Sequence, residues 1–117
     1  MGKDDISAEW RALLDEFERR ADAARGMGGE ERLARRAERG QRNARELVDL
    51  FLDDGSFEEI GTFVGGYGRH GAAPVPADAL IGGIGRVGGK PVVFSVEDFT
   101  TQGGSIGHGN NAKRLRL

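Results

Sequence analysis

The sequence predicts an α+β chain in which charged helices come first and a β-hairpin, a glycine-rich loop and a further helix follow. Three observations carry that reading. Residues 1–54 hold 25 of the 36 charged residues and five of the 20 glycines, whereas residues 55–117 hold the other 11 charges and 15 glycines. Apolar residues in the first half recur at three- and four-residue spacing, the period of a helix with one apolar stripe. In the second half two β-type runs flank Gly88-Gly89, a dipeptide that a tight primed turn accepts because both residues take positive φ. The change of character near Gly55 divides the chain into a helical segment, 1–54, and an opening hairpin, glycine loop and first helix, 55–117.

Taken in order, Trp10, Leu13, Leu14, Phe17 and Ala21 form the stripe of an amphipathic helix that starts at Ser7 and ends near Gly26. "GMGGEERLARRAERG" is a break followed by a short, heavily charged helix closed by Gly40. Its arginines, part of a run from Arg19 to Arg45, are interleaved with Glu and Asp, the pattern of a solvated helix face. In "NARELVDLFLDDGSF" Asn43 can cap a helix whose apolar face is Leu47, Val48, Leu50 and Phe51, and Asp53-Asp54-Gly55 ends it. "SFEEIG" suits a short strand. Residues 65–79 read as a long loop with two prolines and no periodicity. "LIGGIGRVGGKPVVFSV" is the hairpin. After it come the glycines of "GGSIGHG", with Asn110 or Asn111 placed to cap a helix starting at Ala112.

Composition narrows the function. At 117 residues the chain allows one small domain, which would bury roughly two-thirds of its unfolded surface. Twenty glycines and only eight aromatic residues leave little bulk for a self-sufficient core. A formal charge of -2 offers no basic footprint for nucleic acid. The absence of cysteine excludes disulfides and cysteine-ligated metal sites, and the default location is the cytoplasm. No stretch approaches the roughly 18 apolar residues of a membrane span. The Met-Gly start resembles a myristoylation site, but Ile6 stands where Ser or Thr is needed.

Among the motifs, Gly83-Ile84-Gly85-Arg86-Val87-Gly88 matches the dinucleotide fingerprint G-x-G-x-x-G, but a second strand follows it instead of a helix. Gly89-Lys90 fails as a phosphate loop, since Pro91 replaces the Ser or Thr. The segment Gly103-Gly104-Ser105-Ile106-Gly107-His108-Gly109 has the better context, following an apolar strand and preceding a helix. Glycine amides approach a carbonyl or phosphate closely, and a helix N-terminus adds partial positive charge, although a purely structural glycine loop reads the same way. Side-chain catalysts are scarce. His70 lies in the long loop, His108 lies between glycines, Ser105 has no evident activating base, and Glu97-Asp98 suits a strand end as well as a metal.

"ARELVDLFLDDGSFEEIGTFVG", then "GRVGGKPVVFSVEDFTTQGGSIG", then a helix carrying "AKRLRL" resemble the N-terminal part of the carboxyltransferase (beta) subunit of biotin-dependent acyl-CoA carboxylases, the propionyl-CoA carboxylase beta-chain family. The resemblance runs from about Gly40 to the end, more loosely over the preceding helices. It implies the start of a crotonase-like (ClpP/crotonase) ββα-repeat domain, incomplete in 117 residues, in a subunit usually assembled as a hexamer. It implies a ligase chemistry of fatty acid metabolism in which carboxybiotin, on a partner carrier domain, delivers CO2 to the α-carbon of an acyl-CoA. Paired backbone amides would hold the enolate oxygens, which fits the scarcity of catalytic side chains.

Position by position, Phe99 and Gly103, Gly104, Ser105, Ile106 and Gly107 match the family's "DFT..GGS.G" segment. The resemblance makes the amides of Gly103, Gly104, Ser105 and Gly107 acyl-CoA contacts, with Phe99 and Ile106 as neighbours. His108 and Asn110-Asn111 depart from the family pattern, and the later segments for the acyl oxyanion hole and for biotin fall outside the match. Three readings follow: an N-terminal portion or split chain that works with the remainder of the carboxyltransferase and a biotin carboxylase/carrier subunit; a non-catalytic module docking on a full-length carboxyltransferase; or a free-standing acyl-CoA binder. On the first, Leu117 marks a point soon after the first crossover, and the chain alone should not catalyse.

Overall fold

The computed structural model describes residues 7–65, 75–104 and 108–117. Helix α1 spans Ala8–Arg25. Ser7 caps it from extended backbone, its hydroxyl accepting the Trp10 N–H, and the Gly26 N–H closes the other end on the Asp22 carbonyl at 2.9 Å. Helix α2, Glu30–Glu38, places Glu30 and Glu31 in its first turn and Arg35 and Arg36 in its last, in favourable order for the helix dipole. Helix α3, Ala44–Phe51, opens with a full capping box. The Asn43 side chain accepts from the Glu46 N–H at 2.9 Å, and the Glu46 carboxylate accepts from the Asn43 N–H at 3.2 Å. Two backbone donors that a helix start leaves unpaired are thereby satisfied.

The sheet has three antiparallel strands in the order β1-β2-β3: β1 Glu58–Glu59, β2 Leu80–Val87 and β3 Lys90–Glu97. Val87 pairs with Lys90 across the turn, and Gly88 and Gly89 sit there at φ +57 and +78, the conformation the dipeptide predicts. Strand β2 therefore leads into β3 with no helix after the G-x-G-x-x-G match. Alternation along the strands sorts the side chains into two faces. Ile81, Val92, Phe94 and Val96 turn toward α3, where Met27, Ala44, Val48, Leu52 and Ala77 complete the buried cluster. The Phe51 and Phe94 rings lie 5.7 Å apart between helix and sheet. Arg45 of α3 reaches Glu59 of β1 through two hydrogen bonds of 3.0 and 3.2 Å. Contacts between the helical half and the hairpin half thus run through both the core and a forked ion pair.

The opposite sheet face carries Ile84 and Val93, directly opposite each other and exposed. Helix α4, His108–Arg116, lies across one end of this face, where Leu117 closes on Gly82. Its onset differs from the expected Ala112, because Asn110 and Asn111 sit inside the helix. The cap comes from elsewhere: the Asp78 carboxylate accepts the Asn110 N–H, and the Asn110 amide side chain donates to the Asp78 carbonyl at 3.0 Å.

Asp78 belongs to the turn Pro76–Ala79, part of the stretch the sequence presents as loop; residues 66–74, including His70, lie outside the described residues. Far from being surface loop, Ala77, Asp78 and Ala79 are buried, and all three are left-handed, at φ 50, 47 and 59. Each such L-residue costs roughly 1–2 kcal/mol, so the surroundings must hold the turn. They do so at every carbonyl. The Lys113 ammonium donates to the Ala77 carbonyl at 2.8 Å and to the Leu80 carbonyl, Asn110 holds that of Asp78, and the Asp98 N–H donates to that of Ala79 at 2.8 Å.

Candidate functional site

The predicted glycine segment begins where β3 ends. Asp98 is buried, and its carboxylate folds the following residues back on themselves: one oxygen accepts the Thr100 N–H at 3.0 Å and the Thr100 hydroxyl at 2.6 Å, and the other accepts the Thr101 hydroxyl. A carboxylate that gathers the next residues' donors in this way fixes a turn without a helix or strand. The Gly104 N–H then donates to the Thr101 carbonyl at 2.9 Å.

The turn is tied to the N-terminal helices as well. Thr100 Oγ1, whose proton goes to Asp98, accepts the Gly28 N–H at 3.0 Å, and Arg32 donates to the Thr100 carbonyl at 3.0 Å. The approach is so close that a Cβ on Gly28 would lie 1.9 Å from the Thr100 carbonyl oxygen. "GMGG", which reads as a simple break, is therefore the docking point for the site segment.

This framework sets the surroundings of the predicted residues. Phe99 is 57% exposed; one side of its ring covers Gly104, where a Cβ would come within 2.9 Å of the ring, and the Arg36 guanidinium lies 5.9 Å from the ring centre. Gly103 is exposed at φ +63 and Gly104 is buried at φ +73. Ser105, Ile106 and Gly107 lie outside the described residues. His108 is exposed in the first turn of α4. Glu97 accepts from Arg114 and Asp98 holds the turn, so both carboxylates have structural partners. Among the described residues no three His, Asp or Glu side chains gather as a metal site, and no helix is long and apolar enough to cross a membrane.

Two features escape a reading of the sequence. The Asp98 turn has a local signal, an Asp followed within three residues by two threonines, that reading the pair Glu97-Asp98 as a strand end or metal ligand passes over. Lys113 has none, because its partners lie more than 30 residues earlier. Burial pushes its ammonium down from the usual 10.5 to about 8, against the opposing pull of Glu59 and Asp78, with Arg45 adding to the depression. Together the groups form a rigid, turn-rich ledge whose accessible parts are the Phe99 ring and the backbone at Gly103.

The carboxyl transferase domain model matches residues 35–117. The propionyl-CoA carboxylase carboxyltransferase subunit of Haloferax mediterranei is 40% identical over 99 residues, covering 80% of this chain and 19% of that protein. The methylmalonyl-CoA carboxyltransferase 12S subunit of Propionibacterium freudenreichii subsp. shermanii is 38% identical over 93 residues, covering 74% of this chain and 17% of that one. A crystal structure of the transcarboxylase 12S hexamer with hydrolysed methylmalonyl-coenzyme A superposes with a TM-score of 0.83 at 32% identity, covering 95% of this chain and 22% of its own. The chain thus spans about a fifth of the length of these relatives and has the α+β fold that opens the crotonase-like carboxyltransferases. The hairpin, the DFTT turn and the α4 onset all fall within the matched residues, and the chain belongs to the carboxyl transferase domain family.

Proposed function

We propose that this chain forms the opening part of the first domain of a biotin-dependent acyl-CoA carboxyltransferase, which moves CO2 from carboxybiotin to the α-carbon of an acyl-CoA. The observation that carries the reading is the ledge from Phe99 to Gly104. It follows the strand that the family match covers, it is locked by Asp98 and Gly28, and it presents backbone rather than catalytic side chains. Carbonyl activation by fixed amides requires that kind of rigidity, since donors that need no rearrangement stabilise developing charge best.

On this reading the substrate-side contacts are the backbone of Gly103, Gly104, Ser105 and Gly107, with Phe99 and Ile106 beside them. The Gly104 N–H already serves the Thr101 carbonyl, so Gly104 acts by leaving room for the Phe99 ring to approach the chain, and Gly103 is the exposed contact. The Gly104 N–H, engaged in this way, is not a donor for a biotin ureido carbonyl. Biotin, carried by a partner, supplies the activated carboxyl group when bound, and no step is assigned to it on this chain. Partners on this reading are the remainder of the carboxyltransferase, a biotin carboxylase/carrier subunit and further copies in an oligomer.

A second reading, a non-catalytic docking module, is favoured by the exposed apolar face of α1. One experiment separates the two. The chain is combined with a propionyl-CoA carboxylase beta chain that lacks the matching segment, together with its carrier and biotin carboxylase subunits. Biotin-dependent carboxylation of a short acyl-CoA is expected, with at least about a tenfold loss on Gly103→Ala, since one misplaced polar contact at a reacting carbonyl costs that much or more. An assembled complex without activity rules out the first reading. Activity indifferent to Gly103→Ala favours the module.

A further inference from the structure

Three left-handed L-residues in a row, Ala77 to Ala79, are costly wherever they occur, and strain of that kind persists only where the surroundings over-determine it. What this turn carries is the two ends of one stretch, from the Asp98 turn to the start of α4. At the entry, the Asp98 N–H donates to the Ala79 carbonyl at 2.8 Å. At the exit, in the first turn of α4, the Asp78 carboxylate accepts the Asn110 N–H and the Asp78 carbonyl accepts the Asn110 side-chain amide at 3.0 Å. The same two ends are joined a second time by one side chain. The Arg114 guanidinium donates through Nε to Asn110 Oδ1 at 2.7 Å and through Nη2 to the carboxylate of Glu97, the residue before Asp98. The ends of the glycine-bearing stretch are therefore linked twice, by a buried turn and by a guanidinium clasp.

The clasp is not built as a simple surface ion pair. Asn110 is wholly buried, and both ends of its side-chain amide are committed, the NH2 to Asp78 and the oxygen to Arg114. A planar guanidinium tied through two nitrogens to two partners fixes the distance between those partners, which a pair with Glu97 alone would leave free. Glu97 and Arg114 are themselves about a third exposed, so their attraction adds little stability and geometry is what the contact supplies. Asn110 is also one of the positions at which the chain departs from the family pattern, so the clasp is a feature of this chain. We infer that Arg114 is a positioning residue: through Asn110 and Glu97 it holds the two ends of the stretch at a fixed separation, so that the backbone at Gly103 meets the acyl-CoA without rearranging. The reaction served rests on the carboxyltransferase reading; the bracing rests on the geometry alone.

The deciding variant is Arg114→Gln, which loses the bridge but keeps the fold, because a pair this exposed contributes little to stability. Two readouts are taken. In the 117-residue chain, amide hydrogen exchange should rise by at least about fivefold at Gly104, whose N–H is bonded to Thr101 and not to Arg114, and stay unchanged along the β2–β3 ladder. In the reconstituted carboxylase, kcat should fall about fivefold to tenfold while KM for the acyl-CoA stays within about twofold, since a small misplacement far from the chemistry slows the step without weakening binding. Arg19→Gln, which opens an exposed pair with Glu16 on α1, should change neither readout. Unchanged exchange at Gly104, or a rise of equal size along the ladder, overturns the inference. The two proposals fail separately. Carboxylation by the wild type with an unchanged kcat in Arg114→Gln removes the clasp from the reaction and leaves the carboxyltransferase; an assembled wild-type complex without activity, with Gly104 exchange still responding to Arg114→Gln, removes the carboxyltransferase and leaves the clasp.

Discussion

Lys113 shows how much one side chain can hold here. It is 4% exposed, and its ammonium ties the Ala77 and Leu80 carbonyls on either side of the left-handed turn. Lys113→Met removes both of these bonds; the Ala77 carbonyl keeps the Leu80 N–H, whereas the buried Leu80 carbonyl loses its ammonium donor, a penalty of about 1–3 kcal/mol that the loss of a buried charge partly offsets. A net loss of about 1–2 kcal/mol near neutral pH is expected. The pH dependence has a definite sign. The folded pKa, about 8, lies below the ordinary 10.5, so between those values the unfolded chain holds the extra proton and stability rises with pH. The gap between wild type and Lys113→Met in urea unfolding should therefore widen from about pH 8 to pH 10 and be flat below pH 7; a gap that narrows would refute the buried-ammonium account. None of this is legible around residue 113, where the sequence shows only a lysine in a charged helix end. The ledge is more legible: "DFTT" carries its own turn, whereas its anchoring on Gly28 does not show, because nothing within either segment points to the other.

At the scale of the elements, the sequence is most informative where the determinants are local. Ser7, Asn43 and Gly88-Gly89 each fix an end or a turn through neighbours within four residues, and the structure places them as read, adding Glu46 as the second half of the Asn43 cap. Asp53 exceeds its reading. Taken as a helix stop, it also receives the Gly88 N–H at 2.9 Å and the Gly89 N–H at 2.7 Å, which hold its carboxyl below the usual range and join the end of α3 to the hairpin turn. Its contribution is present above pH 3.8 and fades as pH falls through the lower folded value. Asp53→Ala should lower hydrogen-exchange protection at Gly88 and Gly89 by about tenfold while that of the α3 core amides is preserved. Uniform loss across α3 would show that Asp53 matters for the helix rather than the turn. The α4 onset is the converse case. Its own asparagines read as the cap, but the cap is Asp78, brought there by the turn before β2.

For the whole molecule, the apolar stripe of α1 was legible as a stripe but not as a surface. Trp10, Leu13, Leu14 and Phe17 remain exposed, Trp10 at 62%, and Phe17 meets the Phe63 ring at 5.2 Å. Ile84 and Val93 on the outer sheet face and Leu115 at the end of α4 add to the uncovered apolar surface. On α1, a stripe of large apolar side chains exposed at helical spacing marks an interaction surface or an aggregation hazard. Sedimentation of the chain should show association that grows with concentration over about 10–100 µM and weakens in Leu13→Glu/Phe17→Glu, with helix content retained. A monodisperse monomer across that range would mean the stripe is tolerated in water. Glycine richness and the scarcity of aromatic rings already point to a small core, and the buried cluster confirms it: three of its six members are smaller than leucine, namely Ala44, Val48 and Ala77.

The link between Gly28 and Thr100 joins groups 72 residues apart. On a ribosome adding about 5–20 residues each second, the first two helices are complete roughly 3–12 seconds before Thr100, their anchor, is added. During that interval the arginine-rich helix and the apolar stripe are presented to the cell without the turn that orients them, a window in which a chaperone or a neighbouring nascent subunit would meet them first.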